Sequence, residues 1–313
     1  MASKPFDVIG VGNLNVDITL YVDRVPEEGG AVEANDFVVS PGGAAANFAV
    51  ACSKLGLKAG LIGCVGSDDY GKMLIDDLVR NKVDTSHVRI VEDAPTGKVI
   101  IVVTPDGERR MIAYRGANLK LSADLLDREY LSKAKWVYAA SIHSLDLVRE
   151  IAKAAREAKA LFAWDPGSIP VKTGLTREML KILEETNILF LNEREAMTLA
   201  QADSLNEAIR ELDKIGFDCL VVKRGVKGAL CCHKGAVIKS EAFRSLVVRD
   251  TTAAGDIFNA AFLYCIIRGK RIEEALRIAN VAAAIKIQGR GARQSIPSYE
   301  EIERYMGEPQ KGL

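Results

Sequence analysis

The sequence has no surplus of either charge: 42 lysines and arginines balance 42 aspartates and glutamates. A general nucleic-acid binder, or a protein of anionic membrane surfaces, carries a basic excess. Neither nucleic acid nor membrane is therefore an expected partner. No apolar run reaches the roughly 18 residues that a membrane-spanning helix needs. Met1-Ala2-Ser3-Lys4-Pro5 leads straight into a strand-like segment with no apolar leader, so a cytoplasmic location is expected. Three histidines are too few and too scattered for a histidine-built metal centre. Cys52, Cys64, Cys219, Cys231, Cys232 and Cys265 form no C-x-x-C pair and lie in apolar stretches. That pattern excludes a disulfide or zinc framework and predicts buried thiols in a reducing compartment. No Walker A motif occurs, which disfavours a P-loop kinase. No internal repeat or low-complexity tract stands out.

What is present is an ordinary globular composition over 313 residues, 48% hydrophobic and 27% charged. Such a chain buries a large core without disulfides. A single domain over residues 1–313 is expected. Strand-like segments at 8–11, 59–65, 136–140, 161–164, 188–191 and 219–223 alternate with helix-like segments. The helices are expected at 44–55, 70–81, 145–158, 193–200, 205–214, 254–268 and 272–288. This alternation is the pattern of a mostly parallel sheet with helices on both faces. Two stretches, 17–39 and 98–114, are β-rich with no helix between their strands. The second reads as a hairpin, 99–103 against 110–114, around Pro105-Asp106-Gly107-Glu108. Strands that leave the main sheet in this way form a lid or added antiparallel edges.

Three motifs carry candidate chemistry. Asp250-Thr251-Thr252-Ala253-Ala254-Gly255-Asp256 opens a helix with small residues. Amides at such a helix start favour an anion, and Asp256 in its first turn suits a base for an attacking hydroxyl. Either aspartate is equally a helix-start residue. Ser40-Pro41-Gly42-Gly43-Ala44-Ala45-Ala46-Asn47 opens another helix with almost no bulk, for a ligand or for close packing on the sheet. Gly10-Val11-Gly12-Asn13-Leu14-Asn15-Val16-Asp17 begins like a dinucleotide fingerprint, but lacks its third glycine and its helix. Asn15 and Asp17 share one strand face, where they suit neighbouring sugar hydroxyls.

Taken together, these motifs resemble the ribokinase-like (phosphofructokinase-B type) carbohydrate kinases, from Val8 to about Pro297. The Gly43…Asn47…Gly56…Gly66 spacing fits the N-terminal signature and Asp250–Asp256 the C-terminal one. The resemblance implies an α/β three-layer α/β/α sandwich with a small β lid, here at about 14–40 and 97–118, through which a homodimer is expected. It implies transfer of a nucleotide's terminal phosphoryl group, ATP first, to a sugar hydroxymethyl. Asp256 would be the base, with the amides of Ala253, Ala254 and Gly255 holding developing charge. Asn15, Asp17, Gly42, Gly43 and Asn47 match the sugar pocket.

The same resemblance assigns Asn192 and Glu195 to an N-x-x-E motif whose glutamate holds Mg²⁺ through water. A helix cap explains those residues equally. Lys223, Gly225 and Gly228 match the nucleotide loop. Asn280 matches a border of the adenine pocket, or a solvated helix position. Asp250, Thr252, Gly289, Gly291 and Ser295 match a monovalent-cation site, K⁺ in kind, built mostly from backbone carbonyls.

The chain departs from ribokinases at Ala44, where a lysine is usual. It departs again at Ala140-Ser141-Ile142-His143, where a substrate-binding glutamate is usual. The loss of polar groups points to a larger substituent, as in a nucleoside. Arg115 suits a phosphate or carboxylate on the acceptor, such as ribose 1-phosphate or a 2-keto-3-deoxy sugar acid. It equally suits the lid surface. Fructose and fructose phosphates, a noncatalytic nucleotide or sugar sensor, and a dinucleotide oxidoreductase are the competing readings.

Overall fold

The computed structural model describes residues 4–106, 108–142, 144–168, 170–243 and 248–307. Gly107 and His143 lie outside them. Among the described residues, nine strands form the main sheet. In chain order they are β1 (Phe6–Gly12), β4 (Ala59–Gly66), β5 (Asp84–Val91), β8 (Ala134–Ala140), β9 (Leu161–Asp165), β10 (Ile188–Asn192), β11 (Cys219–Lys223), β12 (Ala229–His233) and β13 (Ala236–Ser240). Their spatial order is β13-β12-β11-β10-β9-β8-β1-β4-β5. Pairing is parallel from β11 to β5, and β12 and β13 add an antiparallel edge.

The helices are α1 (Ala44–Lys54), α2 (Asp69–Arg80), α3 (Arg128–Ser132), α4 (Leu145–Glu157), α5 (Arg177–Leu183), α6 (Glu193–Ala200), α7 (Leu205–Asp213), α8 (Ala254–Ile267), α9 (Ile272–Lys286) and α10 (Tyr299–Gly307). Side chains of α1, α2, α8, α9 and α10 share one core. Those of α3 to α7 share the other, across the sheet. The three layers follow from the sequence. Central strands such as β4 are buried at every position because both faces are covered. Helix α8 is apolar nearly all round, as a helix wedged between a sheet and other helices must be.

A separate four-stranded sheet joins β2 (Asn15–Val22), β3 (Ala34–Gly42), β6 (Gly97–Val103) and β7 (Arg109–Tyr114) in the order β3-β2-β6-β7. The expected hairpin is present, with Lys98 opposite Tyr114 and Val103 opposite Arg109. All six cysteines are buried free thiols. No helix among the described residues is long and apolar enough to cross a membrane. The sequence reading missed β5, α3, α5, α10 and the β12–β13 hairpin. That hairpin turns on Lys234 and Gly235, both at positive φ, the geometry of a two-residue turn.

Chain order reverses at β1, which sits between β4 and β8. In open α/β sheets the crevice at the carboxyl ends beside such a reversal is where ligands bind. Below that crevice the sheet is tied to α8 by aromatic edges. Phe190 meets Tyr138 at 6.4 Å and Phe262 at 5.8 Å between ring centroids. Phe190→Ala should lower the unfolding free energy by about 3–5 kcal/mol. Urea unfolding checks this, and a loss under about 1 kcal/mol would remove Phe190 from the core that supports the site.

Candidate active site

Asp165, Asn192 and Lys223 end the adjacent strands β9, β10 and β11, and Asn15 follows β1, so the strand ends alone gather polar groups along the crevice. Helix α8 adds Asp256 in its first turn. The Asp256 carboxylate accepts from Asn47 Nδ2 at 2.9 Å. Burial pushes its pKa up to about 7, with the Asn47 hydrogen bond pulling down and the Asp165 charge pushing further up. A carboxylate held there exchanges protons near neutrality, as a general base requires. The turn before it is bare. The amides of Ala253, Gly255 and Asp256 have no acceptor among the described residues, whereas Ala254 N–H leans on Thr251 O at 3.3 Å. Ala253 takes φ 62°, ψ 5°, left-handed geometry carried by a residue with a side chain.

On the side of β2 and β3, Asp17 is buried, and that burial lifts its pKa to about 7 against the pull of Arg293. Gly42 is required beside it, because a Cβ there would come within 2.2 Å of Asp17 Oδ2. Gly43 caps α1 at φ 93° with its Cα against Asn13 O, so that Asn47 is carried one turn into the helix. Ala44 is the first residue of α1. Asn15 gives its side-chain oxygen to Asn118 Nδ2 at 2.8 Å. Asn118, which the sequence reading overlooked, also bonds the Leu14 amide and carbonyl and so fixes this strand start. Arg115 accepts from Asn118 through its carbonyl at 3.0 Å, while its guanidinium makes no ion pair among the described residues.

Arg293 was also overlooked. It is 6% exposed and donates from Nε to Asn47 Oδ1 at 2.9 Å, from Nη2 to Gly42 O at 2.7 Å, and from Nη1 to Asp77 at 2.5 Å. By holding the oxygen of the Asn47 amide it turns the NH₂ towards Asp256. Nothing in its sequence setting separates it from a surface arginine.

On the other side, Lys223 Nζ pairs with Asp165 Oδ2 at 2.7 Å. Burial pulls the Lys223 pKa down, but the Asp165 and Glu195 carboxylates outweigh it and leave it raised, a fixed cation. Its ammonium lies beside the bare turn, 3.4 Å from where a Cβ on Gly255 would stand. Asn259 Nδ2 bonds the same Asp165 oxygen at 2.7 Å.

Asn192 and Glu195 form a complete capping box on α6, so the helix-cap reading of the pair is realised. Glu195 is buried, and its other oxygen accepts from Ser168 at 3.0 Å. Burial and the Asp165 charge raise its pKa while Lys223 lowers it. Gly225 opens a turn at φ 55° with open space at its Cα. Gly228, at φ 82°, packs against the backbone of 240–242. Asn280 is buried, not solvated: its Nδ2 donates to Ser240 Oγ at 3.1 Å and Glu241 O at 3.0 Å. It meets the same stretch of chain as Gly228.

The loop after α9 closes the site from below. Asp250 accepts from the Thr252 amide and the Gly291 amide, each at 2.8 Å. Burial raises its pKa, but these bonds and the Lys286 charge leave it lowered. Thr252 Oγ1 accepts from Arg109 of β7 at 3.1 Å. Gly289 is covered by Ser295, whose Oγ fills the space of a Cβ. Among the described residues, no three acidic, histidine or cysteine side chains cluster as a metal site.

The sequence matches the pfkB family carbohydrate kinases over residues 6–299. It is 29% identical to ribokinase of Haemophilus influenzae, over 95% of this chain and 97% of that protein. It is 32% identical to the ATP-dependent ribose-1-phosphate kinase of Halopiger xanaduensis, over 96% of this chain and 98% of that protein. The structure of Arabidopsis thaliana ribokinase complexed with ribose and ATP superposes with a TM-score of 0.85 at 29% identity, covering 97% of this chain and 99% of that one.

The left-handed Ala253 generates a test. Such geometry costs a residue with a Cβ about 1–2 kcal/mol, and glycine gives back about 0.4–1 kcal/mol through the unfolded chain. Ala253→Gly should therefore stabilise the protein by about 0.5–1 kcal/mol in urea unfolding. A loss of stability would show that the turn is unstrained.

Proposed function

Because the chain belongs to the pfkB family of carbohydrate kinases, we propose that its crevice moves the terminal phosphoryl group of ATP to the hydroxymethyl of a ribose-like sugar, nucleoside or ribose phosphate. The protein is a phosphotransferase with an alcohol acceptor. The observation that carries the finer reading is the Asn47–Asp256 hydrogen bond beside the bare turn of α8. It joins a base near neutral pKa to amides suited to an oxyanion. Asp256 takes the proton of the acceptor hydroxyl. The amides of Ala253 and Gly255, with Lys223 beside them, hold charge on the transferring group. Asn15, Asp17 and Asn47 position the sugar hydroxyls, and the loop at Gly225 and Gly228, bordered by Asn280, takes the nucleotide.

Mg²⁺ keeps several waters and rests on one or two carboxylates plus phosphates. Glu195 fits that role, buried and within reach of the Asp165 and Lys223 charges. Bound there, the ion would neutralise phosphate charge. The four-stranded sheet acts as a lid over the acceptor. Its β7 is exposed along its length, with Met111 64% and Ile112 70% exposed, which supports pairing of two lids in a homodimer. Free buried thiols support a cytoplasmic location.

Two expectations follow. A coupled assay should cross ATP with ribose, ribose 1-phosphate, nucleosides, fructose and 2-keto-3-deoxygluconate. Asp256→Asn should then lower kcat on the best acceptor about 10²–10⁴-fold with nucleotide affinity retained. Near-normal kcat would sink the assignment. Because Asp256 must be ionised and its pKa is raised to about 7, wild-type kcat/KM should climb as pH rises to about 7 and level above it. An acid limb near 4 would mean a different base.

Arg115, whose carbonyl holds Asn118 and whose guanidinium makes no ion pair among the described residues, favours an anionic acceptor such as ribose 1-phosphate. Arg115→Ala should raise KM strongly for that acceptor and little for ribose. Equal small changes on both would remove the anion reading.

A further inference from the structure

A site for a monovalent cation is expected between the carbonyls of 250–252 and those of 289–295, but the residues present there do not fit one. Lys286 ends α9 immediately before that loop and is fully buried, at 0% exposed. Its ammonium is aimed at the Asp250 carbonyl, with Nζ 3.4 Å from the oxygen. That carbonyl belongs to the expected cation-binding set. Burial, with Arg109 beside it, lowers the Lys286 pKa, and the Asp250 and Asp256 carboxylates pull against that shift without cancelling it.

Backbone bonds join the two segments around it. Arg249 and Asp250 donate their amides to Ile287 O at 2.8 and 3.2 Å, and Gly289 donates to Lys286 O at 3.2 Å. The Asp250 carboxylate is taken by the Thr252 and Gly291 amides. A second cation entering this frame would meet a fixed positive charge at one of its own ligands, in surroundings that screen poorly. Lysine is a compact point charge with three donors, suited to sit on carbonyl oxygens as a bare cation does.

We propose that the Lys286 ammonium is the chain's own fixed cation beneath the phosphate-binding turn, so that no monovalent cation is taken up there and none is needed for turnover. The proposal rests on the carbohydrate-kinase reading for its catalytic consequence, but not for its binding consequence. The ammonium occupies the ligand sphere of Asp250 O and supplies positive charge below residues 252–256, where negative charge arrives with the phosphates. It is delivered by the fold and does not depend on the salt outside.

The test uses the full chain exchanged into tetramethylammonium salts at constant ionic strength. Thallium(I), a K⁺ mimic, is titrated and its binding read by NMR. Thermal stability and ATP affinity are followed as K⁺ is added, and phosphoryl transfer is followed on whichever acceptor is active. Wild type should bind no thallium at this site and change less than about twofold in any readout. Lys286→Met keeps the bulk and removes the charge. It should bind thallium, melt higher with K⁺, and lose turnover that K⁺ restores by about tenfold or more. Lys286→Arg keeps the charge and should stay indifferent to K⁺, which guards against a variant that merely folds badly. Stoichiometric thallium binding by the wild type, or K⁺ stimulation of the wild type equal to that of Lys286→Met, would overturn the proposal. Should no acceptor be phosphorylated, the function reading fails on its own, and thallium binding and melting still decide this one.

Discussion

The arrangement depends on one buried guanidinium. Arg293 lies on the loop after α9 and reaches Asp77 on α2, the Gly42 carbonyl at the end of β3, and Asn47 on α1. A planar fork of five donors is the side chain that can bond in three directions at once. Charge so deeply buried is tolerated only when it is paired and its donors are used. Removing either side of the Arg293–Asp77 pair would leave an uncompensated charge, which costs about 3–5 kcal/mol. The root of the small sheet, the helix bearing Asn47, and the C-terminal loop therefore keep one relative position. The Asn47–Asp256 bond inherits that precision, because the orientation of an amide is decided by what holds its oxygen.

The second constraint is the balance of charge in the crevice. Asp17 and Asp256 are both raised to about 7, each by burial first and by like charge after it. Lys223 and Arg293 are the cations that limit this rise, and each has a carboxylate of its own to satisfy, Asp165 and Asp77. The crevice thus holds two raised carboxyls at one end and a lysine already paired with Asp165 at the other.

Much of this was legible in the sequence, for reasons that differ by residue. Alternating apolar runs revealed the parallel strands because burial on both faces leaves continuous hydrophobic stretches. The edge strands β5 and β13 were not legible. Their half-exposed sequences, Asp84–Val91 and Ala236–Ser240, carry no such run. Small residues before Asn47 and Asp256 announced bare helix starts, and both helices begin there. Asn192 and Glu195 could be read as a cap or as a site. The cap is realised, and it leaves the Glu195 carboxylate buried. Asn118, Arg293 and Lys286 were illegible for a common reason. A buried polar side chain is chosen by partners far away in sequence, such as Asn47 for Arg293 and Asp250 for Lys286, and no local pattern records them.

The turn that opens α8 has an alanine at its left-handed position. Backbone amides there are fewer than the motif promises, because Ala254 N–H is partly taken by Thr251 O. Side-chain cations stand around the turn instead. Lys223 lies over Gly255, Lys286 lies under Asp250, and Arg109 reaches in from the small sheet to Thr252. Amides give direction and cations give charge. Arg109 differs from the other two in standing on the small four-stranded sheet. Its bond to Thr252 makes the position of that sheet part of the electrostatics of the turn. Lys223 and Lys286, rooted in β11 and α9, supply their charge wherever the small sheet stands.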